Sequence, residues 1–328
     1  MKLKDNSAGR DRLNNKIRVV SVVGPTASGK TKLSVALAKH FDGEIISADS
    51  MQIYRGMTVA TAKPTREEQE GIPHHLMDFL PATESYSVAK FAEDARRCIE
   101  EISGRGRLPF IVGGTGLYVD ALLNNVQFMD AQRDDALTKR LHAQYEQSGI
   151  EPLLAELAGF DPQSAQRLSA ERNPKRVIRA IEFYRTCGVT ITEQARRSRL
   201  EEPPYQAVKL ALNFRDREKL YERINLRVDL MMQQGLLQEA QEVLGSPRSS
   251  TSAMAIGYKE LAPYFRGEAA LADCVEKLKR ETRRYAKRQL TWFRRDKDIH
   301  WLYPDDYSSF EELYDAAVQI INKGLLYG

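Results

Sequence analysis

Residues 17–31 read IRVVSVVGPTASGKT, and this stretch decides the fold. Its β-branched part, residues 19–23, predicts a buried strand. The pattern that follows, a glycine, four residues and Gly-Lys-Thr, is typical of a phosphate-binding loop that ends in a helix. Gly24 and Gly29 would let the backbone approach phosphate oxygens closely, while the helix presents unpaired N–H groups to the anion. The chain is therefore predicted to bind a polyphosphate.

Two side chains of this loop carry specific chemistry. Lys30 supplies a mobile cation, and the hydroxyl of Thr31 is placed to hold Mg²⁺, so Thr31 is the predicted metal ligand. We expect the whole loop to surround the phosphates: Gly24, Pro25, Thr26, Ala27, Ser28, Gly29, Lys30 and Thr31. The alternative is a glycine-rich turn with a surface lysine. The loop alone leaves open whether the ligand is a nucleotide.

The composition bounds the class of protein. With 328 residues, 42% hydrophobic and 29% charged, the chain is long enough for one large α/β domain plus a smaller domain or an insertion. The net charge is only +4, so a nucleic-acid partner would have to meet local basic surfaces. Three widely spaced cysteines form neither a disulfide framework nor a zinc pattern, which suits a reducing compartment. Residues 1–16 are polar and predict a disordered tail rather than a signal peptide, and no stretch is typical of a membrane span, so we expect a cytoplasmic protein without membrane attachment.

Two further strand ends carry candidate site residues. Residues 44–48 predict a short buried strand with Asp49 directly after it, and residues 108–112 predict another that ends in a glycine-rich turn containing Thr115. Ligands of open parallel sheets bind at the carboxyl ends of the strands, so Asp49 should face the same crevice as the phosphate loop. Its carboxylate would either hold Mg²⁺ through water or accept a proton from a nucleophile. The alternative is a turn-forming or helix-capping aspartate.

The composition changes between residues 128 and 204, where strand-like runs vanish and short helical patterns with many arginines replace them. We predict a core domain of residues 17–127 and 205–328, interrupted by a mainly helical insertion, 128–204. Within the insertion, residues 165–184 hold a basic stripe beside apolar positions. Such a stripe is either a solvated helix face or a surface that contacts nucleic-acid phosphates.

Two long helices are predicted in the C-terminal part of the core. Residues 217–244 predict one helix in which Arg223 and Arg227 share a face. The ordinary role of such arginines is salt bridging with acidic neighbours, here Glu222, Asp229 or Glu239. Residues 275–297 hold ten basic and three acidic residues with aromatic side chains between them, a combination that suits contact with an RNA backbone and its bases.

Eight motifs, in order from about Val19 to Trp301, closely resemble the tRNA dimethylallyltransferases: GPTASGKT, SADSMQIYRG, ATAKPT, IPHHLMDF, IVGGTGLY, YERINLRVD, AIGYKE and YAKRQLTWFR. The resemblance implies an α/β fold, a P-loop NTPase-like parallel sheet flanked by helices, with the mainly helical insertion serving tRNA. It implies transfer of a dimethylallyl group from dimethylallyl diphosphate to N6 of the adenine on the 3′ side of the anticodon, in tRNAs that read codons beginning with U. The phosphate loop would then grip an isoprenoid diphosphate rather than ATP.

The resemblance also implies roles for individual residues. Lys30 and Arg227, together with Mg²⁺ on Thr31, would hold the charge of the leaving diphosphate. Asp49 matches the family's general base, and Thr115 matches a residue close to the reacting atoms and to the tRNA. The implied tRNA-contacting positions are Asp49, Ser50, Met51, Gln52, Thr115, Lys175, Arg176, Val177, Ile178, Arg179, Met254, Ala255, Ile256, Gly257, Tyr258 and Lys259. A further family position, an arginine near the start of the insertion, aligns with Thr138, beside Lys139 and Arg140. The expected partners are the anticodon stem-loop of tRNA and dimethylallyl diphosphate, and the expected state is a monomer.

Three other functions compete with this one. A P-loop nucleotide kinase or ATPase would use the same loop for ATP, with Asp49 near Mg²⁺. A tRNA-binding regulator would sense a phosphate without chemistry. An adenylate isopentenyltransferase would use free AMP, ADP or ATP as acceptor, but the basic insertion and the basic helix favour a large RNA.

Overall fold

The structure, a computed structural model, describes residues 16–126, 134–198, 202–249 and 251–327. The predicted disordered tail, 1–16, lies outside the described residues except for Lys16. Contacts divide the chain into two compact units. One comprises Met1–Leu123 and Pro204–Gly328, and the other comprises Asn124–Pro203.

The first unit is built on a parallel sheet of six strands. In chain order these are β1 Ile17–Val23, β2 Gly43–Ser47, β3 His74–His75, β4 Leu108–Gly113, β5 Tyr205–Leu212 and β6 His300–Leu302. Their order across the sheet is β3-β2-β4-β1-β5-β6. All seven residues of β1 are in register with β5, and Val20 to Val23 are also in register with β4 on its other side. The strand that leads into the phosphate loop therefore lies inside the sheet, with a neighbour on each edge.

Fourteen α-helices are found among the described residues. They are α1 Lys30–His40, α2 Arg66–Gln69, α3 Val88–Gly104, α4 Gly116–Leu123, α5 Asp135–Ser148, α6 Glu151–Phe160, α7 Pro162–Glu171, α8 Pro174–Cys187, α9 Ile191–Arg197, α10 Arg217–Gln233, α11 Leu236–Gly245, α12 Tyr258–Phe265, α13 Leu271–Phe293 and α14 Phe310–Tyr327. Helices α5 to α9 belong to the second unit, which contains no strand among its described residues. Among the described residues no helix has both the length and the apolar character needed to cross a bilayer.

Alternation along β1 distributes its side chains between two hydrophobic cores. Val19 and Val23 are buried in the core that includes residues of α3, α4, α12 and α13, whereas Val20 and Val22 are buried with residues of α1 and α14. Successive residues of a strand point to opposite faces of the sheet, and both faces are covered by helices here. The predicted parallel α/β fold with flanking helices is confirmed.

The single long helix predicted over residues 217–244 is divided into two helices in the structure. The stretch 217–244 forms α10 and α11, which are separated at Gln234 and Gly235. The backbone of Gly235 has φ 96°, in the left-handed region that glycine adopts at little cost, so the chain turns there and begins a new helix. The apolar pattern continues across the break, and for this reason periodicity alone predicted one helix.

The second unit has a hydrophobic core of its own. Residues of α5 to α8 form it, among them Leu141, Leu153, Leu168 and Ile181, all nearly inaccessible to solvent. Three of its helices carry a proline in their first turn, where the missing N–H removes no intrahelical bond. These prolines divide the stretch into short helices, as the sequence indicated.

Candidate active site

The phosphate loop follows β1 and ends at Lys30, the first residue of α1. Gly24 has φ 142°, and a Cβ atom there would lie 2.4 Å from the carbonyl oxygen of Leu212, so only glycine fits. Gly29 has φ 96° and Ala27 has φ 63°, which gives the loop three positions in the left-handed half of the φ range. The carbonyl of Ala27 accepts a hydrogen bond from Nε of Arg223 at 2.9 Å. Arg223 thus holds the loop from outside in its curved conformation.

Lys30 lies at the centre of the site's positive charge. Its Nζ donates to the carbonyl oxygen of Pro25 within the loop, at 2.7 Å. Burial, and to a smaller extent the positive charge of Arg227, lower the pKa of this ammonium to about 7, although the carboxylate of Asp49 opposes them. A polyphosphate anion next to Lys30 would favour the protonated form of its ammonium group.

Asp49 and Thr115 lie at the ends of neighbouring strands, β2 and β4, and are tied together through the backbone. The hydroxyl oxygen of Thr115 accepts from the N–H of Ser50 at 3.0 Å, and the N–H of Thr115 donates to the carbonyl of Ala48 at 3.1 Å. Oδ1 of Asp49 accepts from the N–H of Met51 at 3.0 Å. The predicted crevice-facing position of Asp49 is correct, and its local hydrogen bond orients the carboxylate.

The two arginines of α10 do not form the salt bridges that were their alternative role. Nη2 of Arg227 is directed to the carbonyl oxygen of Ala62 at 3.5 Å, and burial lowers the pKa of its guanidinium. Asp229 pairs instead with Lys279 at 2.9 Å. Arg227 is therefore a cation held mainly by backbone, which leaves its charge available to an anion in the site.

Glu239, which the sequence suggested as a salt-bridge partner of an α10 arginine, instead binds backbone N–H groups and a tyrosine hydroxyl. Its two carboxylate oxygens accept from the backbone N–H groups of Thr58, Val59 and Ala60 at 2.7–2.9 Å, and from the hydroxyl of Tyr258 at 2.9 Å. One carboxylate thus fixes the loop that ends at Ala62. The carbonyl oxygen of Ala62 faces Nη2 of Arg227.

These elements surround one cavity of about 290 Å³. The polar or charged residues that line it include Thr26, Lys30, Thr31, Asp49, Ser50, Gln52, Arg227, Lys259, Tyr285, Arg288 and Gln289. The apolar residues include Ile45, Met51, Val112, Val228, Met231, Leu236, Met254 and Leu278. The site therefore joins a phosphate loop, a carboxylate and an arginine to an apolar wall. Such a combination suits a ligand with a diphosphate at one end and a hydrocarbon at the other.

The predicted tRNA-contacting residues of the first unit fall into two groups. Asp49, Ser50, Met51, Gln52 and the segment from Met254 to Lys259, except Tyr258, line the cavity, whereas Thr115 and Tyr258 are not among its lining residues. The ring of Tyr258 is fully buried, and its hydroxyl serves Glu239. The prediction that the Tyr258 side chain contacts tRNA therefore does not fit its position.

The predicted tRNA-contacting residues of the second unit also divide by exposure. Lys175, Arg176 and Arg179 are exposed on α8. The last two of these pair with Glu171 and Glu182 respectively. Val177, Ile178 and Thr138 are buried: the first two lie in the hydrophobic core, and the Thr138 hydroxyl donates to the carboxylate of Glu182 at 2.9 Å. A side-chain contact with RNA at these three residues is incompatible with their positions, whereas the three cations remain candidates.

Sequence reasoning missed two residues of the site. Glu239 was considered only as a salt-bridge partner, and Gln289 was not singled out at all. Gln289 and Tyr285 both belong to the motif YAKRQLTWFR, so the resemblance carried a signal for them, but no rule of spacing indicated a role. Their partners are too distant in sequence for local patterns to reveal.

Comparison with known proteins gives concordant matches. The sequence model of the IPP transferases matches residues 52–296. A tRNA dimethylallyltransferase of Acetivibrio thermocellus is 46% identical over 297 residues, covering 90% of this chain and 94% of that protein. One of Bacillus cytotoxicus is 49% identical over 285 residues, covering 87% and 89%. Among solved structures, the tRNA isopentenylpyrophosphate transferase of Bacillus halodurans has a TM-score of 0.70 at 41% identity, covering 94% of this chain and 98% of that one. A eukaryotic dimethylallyltransferase described as acting on tRNA has a TM-score of 0.77 at 29% identity, covering 94% and 79%.

Proposed function

Since the chain belongs to the IPP transferase family, we propose that it is a tRNA dimethylallyltransferase, which moves a dimethylallyl group from dimethylallyl diphosphate to N6 of an adenine in tRNA. One observation carries the proposal beyond the family. A phosphate loop, a carboxylate and an apolar wall line the same cavity of about 290 Å³. A five-carbon chain attached to a diphosphate has the chemistry to match these three parts.

The site first has to stabilise the negative charge on the leaving diphosphate. When the C–O bond of an allylic diphosphate breaks, its electron pair stays on the diphosphate, so cations placed around that group stabilise the transition state. Lys30 and Arg227 both line the cavity, and burial lowers the pKa of both groups. A ligand of high negative charge would favour the protonated form of both side chains.

The site also has to activate the acceptor, the N6 amine of adenine. The lone pair of the adenine amine is delocalised into the ring, so N6 is a poor nucleophile, and a base that accepts its proton during the attack lowers the barrier. In the proposed step N6 bonds to C1 of the dimethylallyl group, the C1–O bond breaks, and the carboxylate of Asp49 takes the N6 proton. The products are N6-dimethylallyladenosine and diphosphate. General-base help of this kind contributes roughly 10²–10⁴ in rate.

The RNA partner is proposed to be the anticodon stem-loop, with the adenine on the 3′ side of the anticodon as acceptor in tRNAs that read codons beginning with U. A base in a single-stranded loop leaves its stack at lower cost than a base in a duplex. Helix α13 supports an RNA ligand because five of its basic side chains are exposed: Lys277, Arg280, Arg284, Lys287 and Arg288. Free AMP, ADP or ATP would need no such surface.

Mg²⁺ is proposed as the cofactor. Thr31 lines the cavity, and its hydroxyl oxygen is a donor that suits this ion. No cluster of three or more acidic, histidine or cysteine side chains among the described residues makes a metal cage, so most ligands of the ion would come from diphosphate and water. When bound, Mg²⁺ would neutralise part of the diphosphate charge.

The cellular location and the oligomeric state are also proposed. The described structure holds three free cysteines, two of them buried, which suits a reducing compartment and therefore the cytoplasm. A monomer is proposed because an elongated RNA has to reach the site along the chain's basic surfaces.

The deciding experiment incubates the protein with unmodified tRNA, dimethylallyl diphosphate and Mg²⁺, digests the RNA and measures nucleoside masses. The expected product is adenosine carrying one dimethylallyl group, at the position next to the anticodon. Parallel reactions replace tRNA by AMP, or dimethylallyl diphosphate by ATP. Prenylated AMP without prenylated tRNA would favour an adenylate isopentenyltransferase, and phosphoryl transfer from ATP would favour a kinase. RNA binding without any mass gain would favour a regulator.

A further inference from the structure

Gln289 is a buried polar residue of α13 with both ends of its amide engaged. Only 5% of the residue is exposed. Its Oε1 accepts from the backbone N–H of Thr26 in the phosphate loop at 3.0 Å, and its Nε2 donates to the carbonyl oxygen of Gly114 at 2.9 Å. A side-chain amide that satisfies one donor and one acceptor of two separate backbone segments fixes both segments relative to itself.

The two segments that Gln289 joins perform different parts of the reaction. Thr26 belongs to the loop that receives the leaving diphosphate. Gly114 directly precedes Thr115, whose hydroxyl oxygen accepts from the N–H of Ser50 next to Asp49. A continuous series of hydrogen bonds and peptide units therefore runs from the phosphate loop through Gln289 to the residue that carries the base.

The glycine at position 114 is a consequence of this contact. A Cβ atom there would lie 2.1 Å from Nε2 of Gln289, too close for any heavy atoms that are not bonded. The glycine-rich turn after β4 thus makes room for a side chain of α13, in addition to any approach of a ligand. The N–H of Thr26 already donates to Gln289. This group therefore aligns the phosphate loop with α13 instead of donating a hydrogen bond to the bound anion.

We infer that Gln289 is a positioning residue that sets the distance and orientation between the site of the leaving diphosphate and the site of proton acceptance at Asp49. The inference rests on the proposed function. It assigns Gln289 no contact with the reacting atoms. Displacement of reacting groups by about 1 Å costs as much as 10² in rate, so a lost alignment should appear in the rate of transfer rather than in the binding of dimethylallyl diphosphate.

Two substitutions test this. Gln289→Met keeps the length of the side chain and removes both hydrogen bonds. Gln289→Glu keeps the acceptor for Thr26 but, when ionised, places an oxygen against the carbonyl oxygen of Gly114. Gln319 is the matched control because it is an exposed glutamine on α14, outside the site, and Gln319→Met introduces the same chemical change.

We expect Gln289→Met and, at pH 8, Gln289→Glu to lower kcat by about 10- to 100-fold with the dissociation constant of dimethylallyl diphosphate changed less than about threefold. A protonated glutamic acid can donate to Gly114 again, so the activity of Gln289→Glu relative to wild type should rise as the pH falls from 8 to 6. Gln319→Met should match wild type throughout.

Thermal unfolding of every variant shows whether it is folded. The inference is overturned if both Gln289 variants transfer at the wild-type rate. A fall in kcat that always accompanies weaker diphosphate binding, or a loss of folded protein, would also overturn it. The same holds if the activity of Gln289→Glu relative to wild type does not rise at low pH. Failure of the wild-type protein to prenylate tRNA in the same assay would instead refute the proposed function.

Discussion

Replacement of Glu239 by glutamine should destabilise the loop at residues 58–60 by an amount that the geometry allows us to estimate. Each carboxylate oxygen accepts two hydrogen bonds, Oε2 from the N–H groups of Thr58 and Val59, and Oε1 from Ala60 and Tyr258. A hydrogen bond to a charged group contributes roughly 1.5–3 kcal/mol, against roughly 0.5–1.5 kcal/mol for a neutral pair. Glu239→Gln removes the charge from all four bonds and replaces one accepting oxygen by an NH₂ group.

Glu239 is half-buried, so water replaces part of what is lost. The net cost is then about 2 kcal/mol in the free energy of unfolding. For a unit of this size, 1 kcal/mol corresponds to a change of about 2–4 °C in Tm, so we expect Glu239→Gln to lower Tm by about 4–8 °C. Thermal unfolding followed by circular dichroism measures this directly.

Glu242→Gln is the matched control. Glu242 lies one turn further along α11 and is exposed, and its carboxylate accepts from Nε2 of Gln238 in the same helix, at 3.1 Å. Surface substitutions of this kind change stability by less than about 0.5 kcal/mol. A Tm of Glu239→Gln equal to that of Glu242→Gln would refute the reasoning. The KM for dimethylallyl diphosphate should also rise in Glu239→Gln alone, because the loop that Glu239 orders carries the carbonyl that Arg227 meets.

Three other predictions concern the chemistry and the RNA. Asp49→Ala should retain tRNA binding and lose roughly 10²–10⁴ in transfer rate, and unchanged single-turnover kinetics would exclude Asp49 as the base. Burial and Arg227 lower the pKa of Lys30 to about 7, and a bound anion would raise it, so diphosphate binding at pH 8 should take up a proton and weaken as the pH rises further. Calorimetry in buffers of different ionisation enthalpy should detect that proton, and Lys30→Met should abolish it. Combined reversal of charge at Lys175, Arg176 and Arg179 should weaken tRNA binding and flatten its salt dependence, and an unaltered slope would assign these side chains to solvent.

Much of the core follows from local sequence. The β-branched residues of β1 predicted a strand and the Gly-Lys-Thr pattern predicted a turn into a helix, and the structure confirms the strand and the helix that begins at Lys30. Helix α3 has apolar residues at helical spacing and begins after a serine cap, Ser87, whose side chain accepts from the N–H of Lys90. These features depend on residues close together in the chain, where steric preference and period decide the structure.

The parts that could not be predicted depend on contacts between distant residues. Glu239 bonds to a loop 179–181 residues earlier in the chain, and Gln289 bonds to Thr26 across 263 residues. Neither residue type indicates such a role, because glutamates and glutamines are usually exposed. The burial of Tyr258 was missed for the same reason: its ring is apolar enough for a core and its hydroxyl needs a partner that only the fold supplies.

The position of β1 in the sheet has a consequence for synthesis on the ribosome. One neighbour, β4, is made before the insertion and the other, β5, only after it. At about 5–20 residues per second, the interval between the translation of β1 and that of β5 is on the order of 10–40 s. During this time one edge of a strand that is apolar on both faces has no partner, which invites pairing with other nascent chains. Shielding of this incomplete sheet by a chaperone, or rapid synthesis and folding of the insertion, would then raise the yield of active protein.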